Sequence, residues 1–375
     1  MRSRNRRLPW VALLPVLQLL IVLTGCSGDG GGANFGGGSS GGVTTSTPCI
    51  ADRVAPTEFQ VDAGGLNDSG VVVGGSADGP FEWSVASGLI PLPLVSSFSN
   101  GSEYVPYAIN ASGDAAGWIQ VTPLLRHPTA VTRSTAPGYR GVFWTPTTAV
   151  DVGDLGGGEA TAWTLNDRGV VVGTSLTSSQ ETEAFKWTAA GGMVSLGIGS
   201  GSMALGINDS GTIVGAIQPP SANTSQGFVY ADTGTITLLG PSSSVTSCVA
   251  INASGAVAGN TAPAPGGISN AFVWNAAKGT HELTTPSGAG GAKAINASGT
   301  VVGWSQSSSG AERACYWSPA GTFQDLTSVT TGLPAGLILV EAVSINASGQ
   351  ILATGSDGNS YLLTPKTTPA ISRRR

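Results

Sequence analysis

The side chains able to do chemistry are few, and their spacing limits what they can be. Two histidines, His127 and His281, stand far apart in unrelated surroundings. Glu282 follows His281, but no second histidine lies at helical spacing, so the zinc-protease pattern is missing. The chain has no C-x-x-C pair, no P-loop and no D-x-D calcium loop. Neither a metal nor a cofactor is therefore expected. Glu103 and Glu159 occupy the right class of loop for paired-carboxylate work, yet nothing in the sequence pairs them. One stretch, Gln120 to Arg140, gathers Arg126, His127, Arg133, Tyr139 and Arg140 in a chain with only 10% charged residues. Arginine grips carboxylate or sulfate bidentately and tyrosine stacks on rings, so these five are the candidate ligand-binding residues. The plainer account of them is a solvated insertion, because long loops are often only variable.

The elements that must position these residues come from an internal repeat. An apolar residue, Asn, two residues, Gly and a short apolar run recur seven times, as in LNDSGVVVG and INASGTVVG. The Asn-to-Asn spacings are 43, 56, 42, 44, 44 and 50 residues. Repeats of roughly 40–50 residues built from short strands are characteristic of propeller blades, usually four strands each. Within the repeat, Asn favours the first position of a type I turn, and Gly three residues on can take the left-handed conformation that closes a bulged hairpin. Asn67, Asn110, Asn166, Asn208, Asn252, Asn296 and Asn346 are thus expected to start tight turns. Gly70, Gly113, Gly169, Gly211, Gly255, Gly299 and Gly349 are expected to end them. Six of these Asn also read as N-x-Ser sequons, a by-product of the turn.

A second anchor has period two: Phe81/Trp83, Val142/Trp144, Phe185/Trp187, Phe228/Tyr230, Phe272/Trp274, Cys315/Trp317 and Tyr361/Leu363. Residues two apart on a strand share a face, so each pair can fill the space between blades. A Leu follows as a third anchor, at Leu155, Leu196, Leu239, Leu283 and Leu326. Four strands per unit are read; for unit four they are Met193–Gly197, Met203–Ile207, Thr212–Ile217 and Gly227–Ala231. These anchors, and most of all the block from Asp151 to Ser175, resemble the HAF-repeat family of bacterial extracytoplasmic proteins. The family's His-Ala-Phe tripeptide survives only as Ala184-Phe185 and Ala271-Phe272, with no preceding His. The resemblance spans about residues 54 to 365 and implies an exported all-β repeat protein; it brings no established chemistry.

The fold expected is an all-β, seven-bladed β-propeller over residues 50–365. Unit seven ends at Ser360–Thr364 with no Leu-type strand behind it, while unit one begins with a spare strand, Val54 to Phe59. Letting the N-terminal strand complete the last blade would close the ring and remove two exposed edges. Alternating strand direction then places the N-x-x-G turns on one face. The long loops, Val95–Glu103, Gln120–Arg140, Gln218–Gln226 and Ser328–Leu337, fall on the other, where function usually sits.

Residues 1–25 read as an export signal, with Arg2, Arg4, Arg6 and Arg7 before an apolar run from Leu8 to Leu23. Leu23-Thr24-Gly25-Cys26 looks like a bacterial lipobox, which implies a lipid on Cys26 as the mature N-terminus. Such a chain is held at a membrane surface without spanning it. Ser27 after that cysteine, by resemblance to diderm lipoproteins, implies the outer membrane. Residues 26–49 supply the lipidated Cys and a Gly/Ser-rich tether, with a mean reach on the order of 25 Å. Residues 366–375 are expected to be a disordered basic tail.

Four of the 17 Lys+Arg lie in the signal, leaving 13 against 22 Asp+Glu, a net charge of −9. That acidity argues against nucleic acid as a partner. Of the remaining cysteines, Cys315 occupies a Phe position and reads as a buried thiol, while Cys49 and Cys248 are left as a possible pair.

The function expected is a non-enzymatic, lipid-anchored binding module for a polysaccharide or an envelope protein, sited on the variable face. The rival is a glycan hydrolase or lyase with carboxylates around the central channel; a third reading is a passive spacer. Clustered acids at the channel mouth would favour the enzyme, an aromatic or Arg rim without acids the binder.

Overall fold

A computed structural model describes residues 49–54, 61–96, 98, 103–121, 138–218, 224–240, 244–263 and 269–366. The export signal, the lipobox, most of the tether and most of the tail lie outside the described residues, as do Arg126, His127 and Arg133.

The chain folds as a seven-bladed β-propeller. Blade three shows the pattern: Gly156–Leu165, Val171–Thr177, Thr182–Thr188 and Gly192–Ser195 pair in that order, all antiparallel. The first strand of each blade packs against the first strands of both neighbours, which makes it the innermost strand around a central channel. The V-V-G run in the second strand has a packing cause. A Cβ placed on Gly173 would lie 2.0 Å from the Thr161 carbonyl and 2.8 Å from the Phe185 ring. No side chain fits between the inner strand and the aromatic anchor there. The anchors fill the spaces between blades: Val172 and Ala184 of blade three meet Ile207, Ile213 and Phe228 of blade four in one buried cluster.

Two strand assignments are corrected. Met193–Gly197 is not the first strand of unit four. Gly192–Ser195 hydrogen-bonds to Thr182–Thr188 as the outermost strand of blade three, because a tight turn joins the two. Blade four instead runs Ser202–Ile207, Ile213–Ile217, Gln226–Tyr230 and Ile236–Leu239. The strand beside Ser360–Pro365 is Cys49–Arg53, not Val54–Phe59. It pairs antiparallel from Cys49↔Pro365 to Arg53↔Tyr361, and a two-residue strand, Thr330–Thr331, pairs parallel along its outer side. Cys49 therefore belongs to the folded domain and not to the tether. The expected loop Ser328–Leu337 also contains that short strand and the end of a one-turn helix, Leu326–Val329.

Cys49, Cys248 and Cys315 are all buried. Cys49 and Cys248 sit in separate core clusters of blades seven and five, so the pairing left open between them does not form. Burial pushes the Cys248 thiol up to about 12 and the Cys315 thiol higher still.

Candidate functional site

Two rings of seven residues line the channel. The upper one is built by the turns. Each anchor Asn donates its backbone N–H to the carbonyl four residues on, and the following Gly donates back to the Asn carbonyl at 3.0–3.2 Å. The turn glycines have φ of +71 to +87°. The Asn side chain is then used at both ends. Its Oδ1 accepts the amide of the residue four further on, at 2.9–3.1 Å in every blade. Its Nδ2 donates to the backbone carbonyl of the next blade's Asn at 3.0–3.2 Å. The last of these runs from Asn346 to Asn67, so the relay returns to its start. All seven Asn are at most 6% exposed. Their amides are committed to the scaffold, which removes both a ligand role and sequon glycosylation.

The residue after each Asn lines the same open mouth. Where that residue is Asp it adds a second inter-blade bond. Asp68 accepts from Ala347 N at 2.7 Å, Asp167 from Ala111 N at 2.8 Å and Asp209 from Asp167 N at 2.9 Å.

The lower ring lies three residues before each Asn. Every inner strand skips one register position there, at Gly64, Tyr107, Trp163, Leu205, Val249, Lys293 and Val343. The residue before each skip is small and buried. The skipped residue is partly or well exposed, and a bulge on an innermost strand turns it toward the channel. Unlike the Asn ring, this one is chemically uneven. Only blades two and three carry aromatics, and Tyr107 meets Trp163 edge-on with centroids 5.4 Å apart. Trp163 Nε1 donates to Thr174 Oγ1 at 3.1 Å, which fixes the indole. Lys293, on the far wall, pairs with Glu341 at 2.8 Å. Burial first and Glu341 second raise the nearby Glu312 carboxyl, against the pull of Lys293.

Seven residues before each Asn, toward the variable face, blades two and three again differ from the rest: they alone carry Glu, at Glu103 and Glu159. Glu103, Gln120 and Tyr139 stand in register across three strands and so share a face of blade two. That face looks at blade three, because a Cβ on Gly141, two residues from Tyr139, would touch Val152 and Ala162. Glu159 comes to it from blade three, its Oε1 3.6 Å from where a Cβ on Gly138 would be. Trp118 packs edge-on against Tyr139 at 5.2 Å, and Gln120 Nε2 approaches the Tyr139 hydroxyl at 3.4 Å. Burial raises the Tyr139 phenol, and the carboxylates of Glu159 and Glu103 push it further. Burial also raises the Glu159 carboxyl. The result is a face of blade two, turned to blade three, on which an indole, an amide and two acids gather about one tyrosine.

The five-residue ligand group is divided by the structure. Tyr139 lies on the face that looks at blade three; Arg126, His127 and Arg133 are not described. Arg140 has its guanidinium already engaged by blade two's own link and by blade three. Nε and Nη2 donate to Asp151 Oδ2 at 3.2 and 2.9 Å, and Nη1 donates to Asp154 Oδ2 at 2.8 Å and to the Gly158 carbonyl at 3.0 Å. Burial alone would raise the Asp154 carboxyl, but the Gly158 and Gly156 amides and Arg140 outweigh it and hold it low. Tyr107, Trp118 and Trp163 were not singled out from the sequence. Aligning the repeats on Asn would have found two of them, since the column three residues earlier reads G, Y, W, L, V, K, V.

Among the described residues no group of three His, Cys, Asp or Glu could hold a metal, and no helix is long and apolar enough to cross a membrane. No family model matches the chain and no curated protein does. Similarity to solved structures is confined to fold. A puromycin hydrolase aligns with TM-score 0.52 at 12% identity, over 84% of this chain and 53% of that one. A puromycin-hydrolyzing peptidase of Mycobacterium tuberculosis aligns with TM-score 0.50 at 12% identity, over 76% and 46%. TolB of Acinetobacter baumannii gives TM-score 0.44 at 13% identity; this chain covers 68% of its own length there and 64% of that protein's.

Proposed function

We propose that this protein is a lipid-anchored cell-envelope propeller, tethered through Cys26 at the outer membrane, that acts as a non-enzymatic binding module for polysaccharide or an envelope protein. The observation that carries the reading is the broken sevenfold pattern. One end of the channel is ringed by seven equivalent Asn turns, while in the bulge ring blades two and three alone carry aromatics, Tyr107 and Trp163. Differences confined to one sector of a repeat scaffold are what a ligand site requires.

The glycan hydrolase or lyase remains a second reading, because Glu103 and Glu159 both act on Tyr139. Two features weigh against it. The raised phenol keeps Tyr139 protonated at neutral pH, so it is no base, and both acids sit at equivalent positions on one side of the channel. The test is a panel of envelope polysaccharides applied to the purified full-length protein and to a variant lacking residues 122–137. Saturable binding without cleavage, weakened in the variant, is the expected result. Cleavage abolished by Glu159→Gln would replace binder with enzyme. A folded protein that binds no glycan and no envelope protein would leave the spacer.

A further inference from the structure

We propose that the outer edge of blade one is a membrane-docking surface, on which the propeller lies side-on against a lipid bilayer; this rests on the anchor at Cys26 proposed above and adds where the folded domain meets the lipid.

The edge is apolar from end to end. Of the nine large apolar side chains exposed among the described residues, four lie along the outermost strand of blade one, Gly88–Pro91, and its two ends. They are Val85 at 63% exposure, Leu89 at 37%, Ile90 at 41% and Leu94 at 49%. No charged residue occurs between Glu82 and Glu103. The outer strands of blades two, five, six and seven each carry one or more, among them Asp151, Glu282, Asp325 and Asp52. Charge is what keeps an exposed edge from associating, and blade one dispenses with it.

The same edge suits lipid better than another strand. Leu92 donates inward to the Pro80 carbonyl, so alternation turns position 91 outward, where proline has no N–H to give. The turn beneath the strand spends its hydroxyls internally. Ser84 Oγ lies 2.7 Å from Ser87 Oγ and accepts from Ser87 N at 3.1 Å. The outward carbonyls keep water at headgroup level, so only side chains dip below it and the contact is interfacial.

The anchor arrives beside this edge. The described chain begins at Cys49, which pairs with Pro365, and a Cβ on the turn glycine Gly349 would lie 3.5 Å from Pro365 Cγ. The tether therefore joins blade seven at its Asn-turn end. Val85 sits at the same end of blade one, just past Trp83, which pairs with Val72 beside the Asn67 turn. Blades seven and one share a core cluster, and Ile50, 46% exposed, continues the apolar edge toward the tether. A Gly/Ser-rich segment with a mean reach on the order of 25 Å keeps this side of the ring toward the bilayer. Blade four exposes Ile236 and Leu238 but stands at least three blades away. Docked on its edge, the propeller leaves both mouths of the channel free.

The test uses the full-length lipoprotein in phosphatidylcholine vesicles, with a polarity-sensitive dye attached through Leu89→Cys or, for comparison, Leu238→Cys. Cys49, Cys248 and Cys315 are buried and stay unlabelled. The expected result is quenching by brominated lipid about threefold stronger at position 89 than at position 238. Adding Ile90→Glu and Leu94→Glu should bring position 89 down to the level of position 238, with an unchanged unfolding midpoint. Equal quenching at the two positions, or quenching at position 89 that ignores the double substitution, overturns the proposal. A dye shift at position 89 that disappears on diluting the protein in the vesicles, without lipid quenching, makes the edge a contact between copies and also overturns it. Flotation separates this from the anchor. Native protein that floats with the vesicles while position 89 stays unquenched defeats the docking edge alone. Native protein that does not float, or Cys26→Ala that floats equally well, defeats the anchor and the orientation together.

Discussion

Two rings, three residues apart in every blade, separate what the repeat must keep from what it is free to vary. The Asn ring is identical seven times, because each side chain serves its own turn and the next blade together. The bulge ring differs in nearly every blade, because no shared bond runs through all its side chains and each answers to its own local partner, Trp163 to Thr174 and Lys293 to Glu341. Conformity marks the scaffold, and departure from it marks the place where a ligand can be chosen.

The sharpest break of that comparison is Asn208→Ala. It removes the bond to the Asn252 carbonyl and the acceptor for Ser210 Oγ and Thr212 N. A cost of about 2–4 kcal/mol is expected from the stranded buried groups, read by denaturant unfolding. Its equivalents around the ring should agree within about 1 kcal/mol, and a wide spread would mean the ring is not one unit. Next comes the seam. Asp52→Pro in Cys49–Arg53 removes the ladder donor facing Leu362 and should cost about 1–3 kcal/mol. If stability is unchanged, the N-terminal strand is dispensable.

Alkaline pH should act through the thiols. Cys248 is raised from 9.0 to about 12 in the folded state, so the unfolded chain loses its proton first. The stabilisation is complete below pH 9 and is lost as pH rises toward 12; Cys315 acts in the same direction. An unfolding midpoint that does not fall over that window contradicts the burial. Smaller again is Asp68→Ala, at about 1 kcal/mol for the Ala347 amide. The converse, Ala297→Asp, offers the Ala253 amide the partner that Asp209 gives Asp167, and should stabilise by a few tenths of a kcal/mol. Least of all, Val249→Ala in the bulge ring should shift stability by less than about 1 kcal/mol.

The sequence carried the blades because their anchors are local. Asn and Gly declare a turn by their own conformational preferences, and the aromatic pairs declare a strand face by period two. Three things were hidden for physical reasons. Met193 was placed in the wrong blade because a Leu-type strand has the same pattern whichever neighbour it pairs with. The engagement of Arg140 was hidden because its partners, Asp151 and Asp154, lie across a hairpin and a link that composition does not reveal. Glu103 and Glu159 seemed unrelated because the spacing between their blades is 56 residues, the longest in the chain, and only the side-by-side packing of blades two and three makes them neighbours.

The seam also sets an order of events. Cys49–Arg53 is made long before its partner, Ser360–Pro365, which follows it by more than six blades. At roughly 5–20 residues per second, the opening strand waits on the order of 15–60 s for its partner. During that wait both of its edges are bare. Its sequence suits the delay: CIADR is short and carries Asp52 and Arg53, charges of the kind that discourage a lone strand from pairing with strangers. The last blade is thus a check on completeness, since a truncated chain never supplies the surface on which its own beginning can settle.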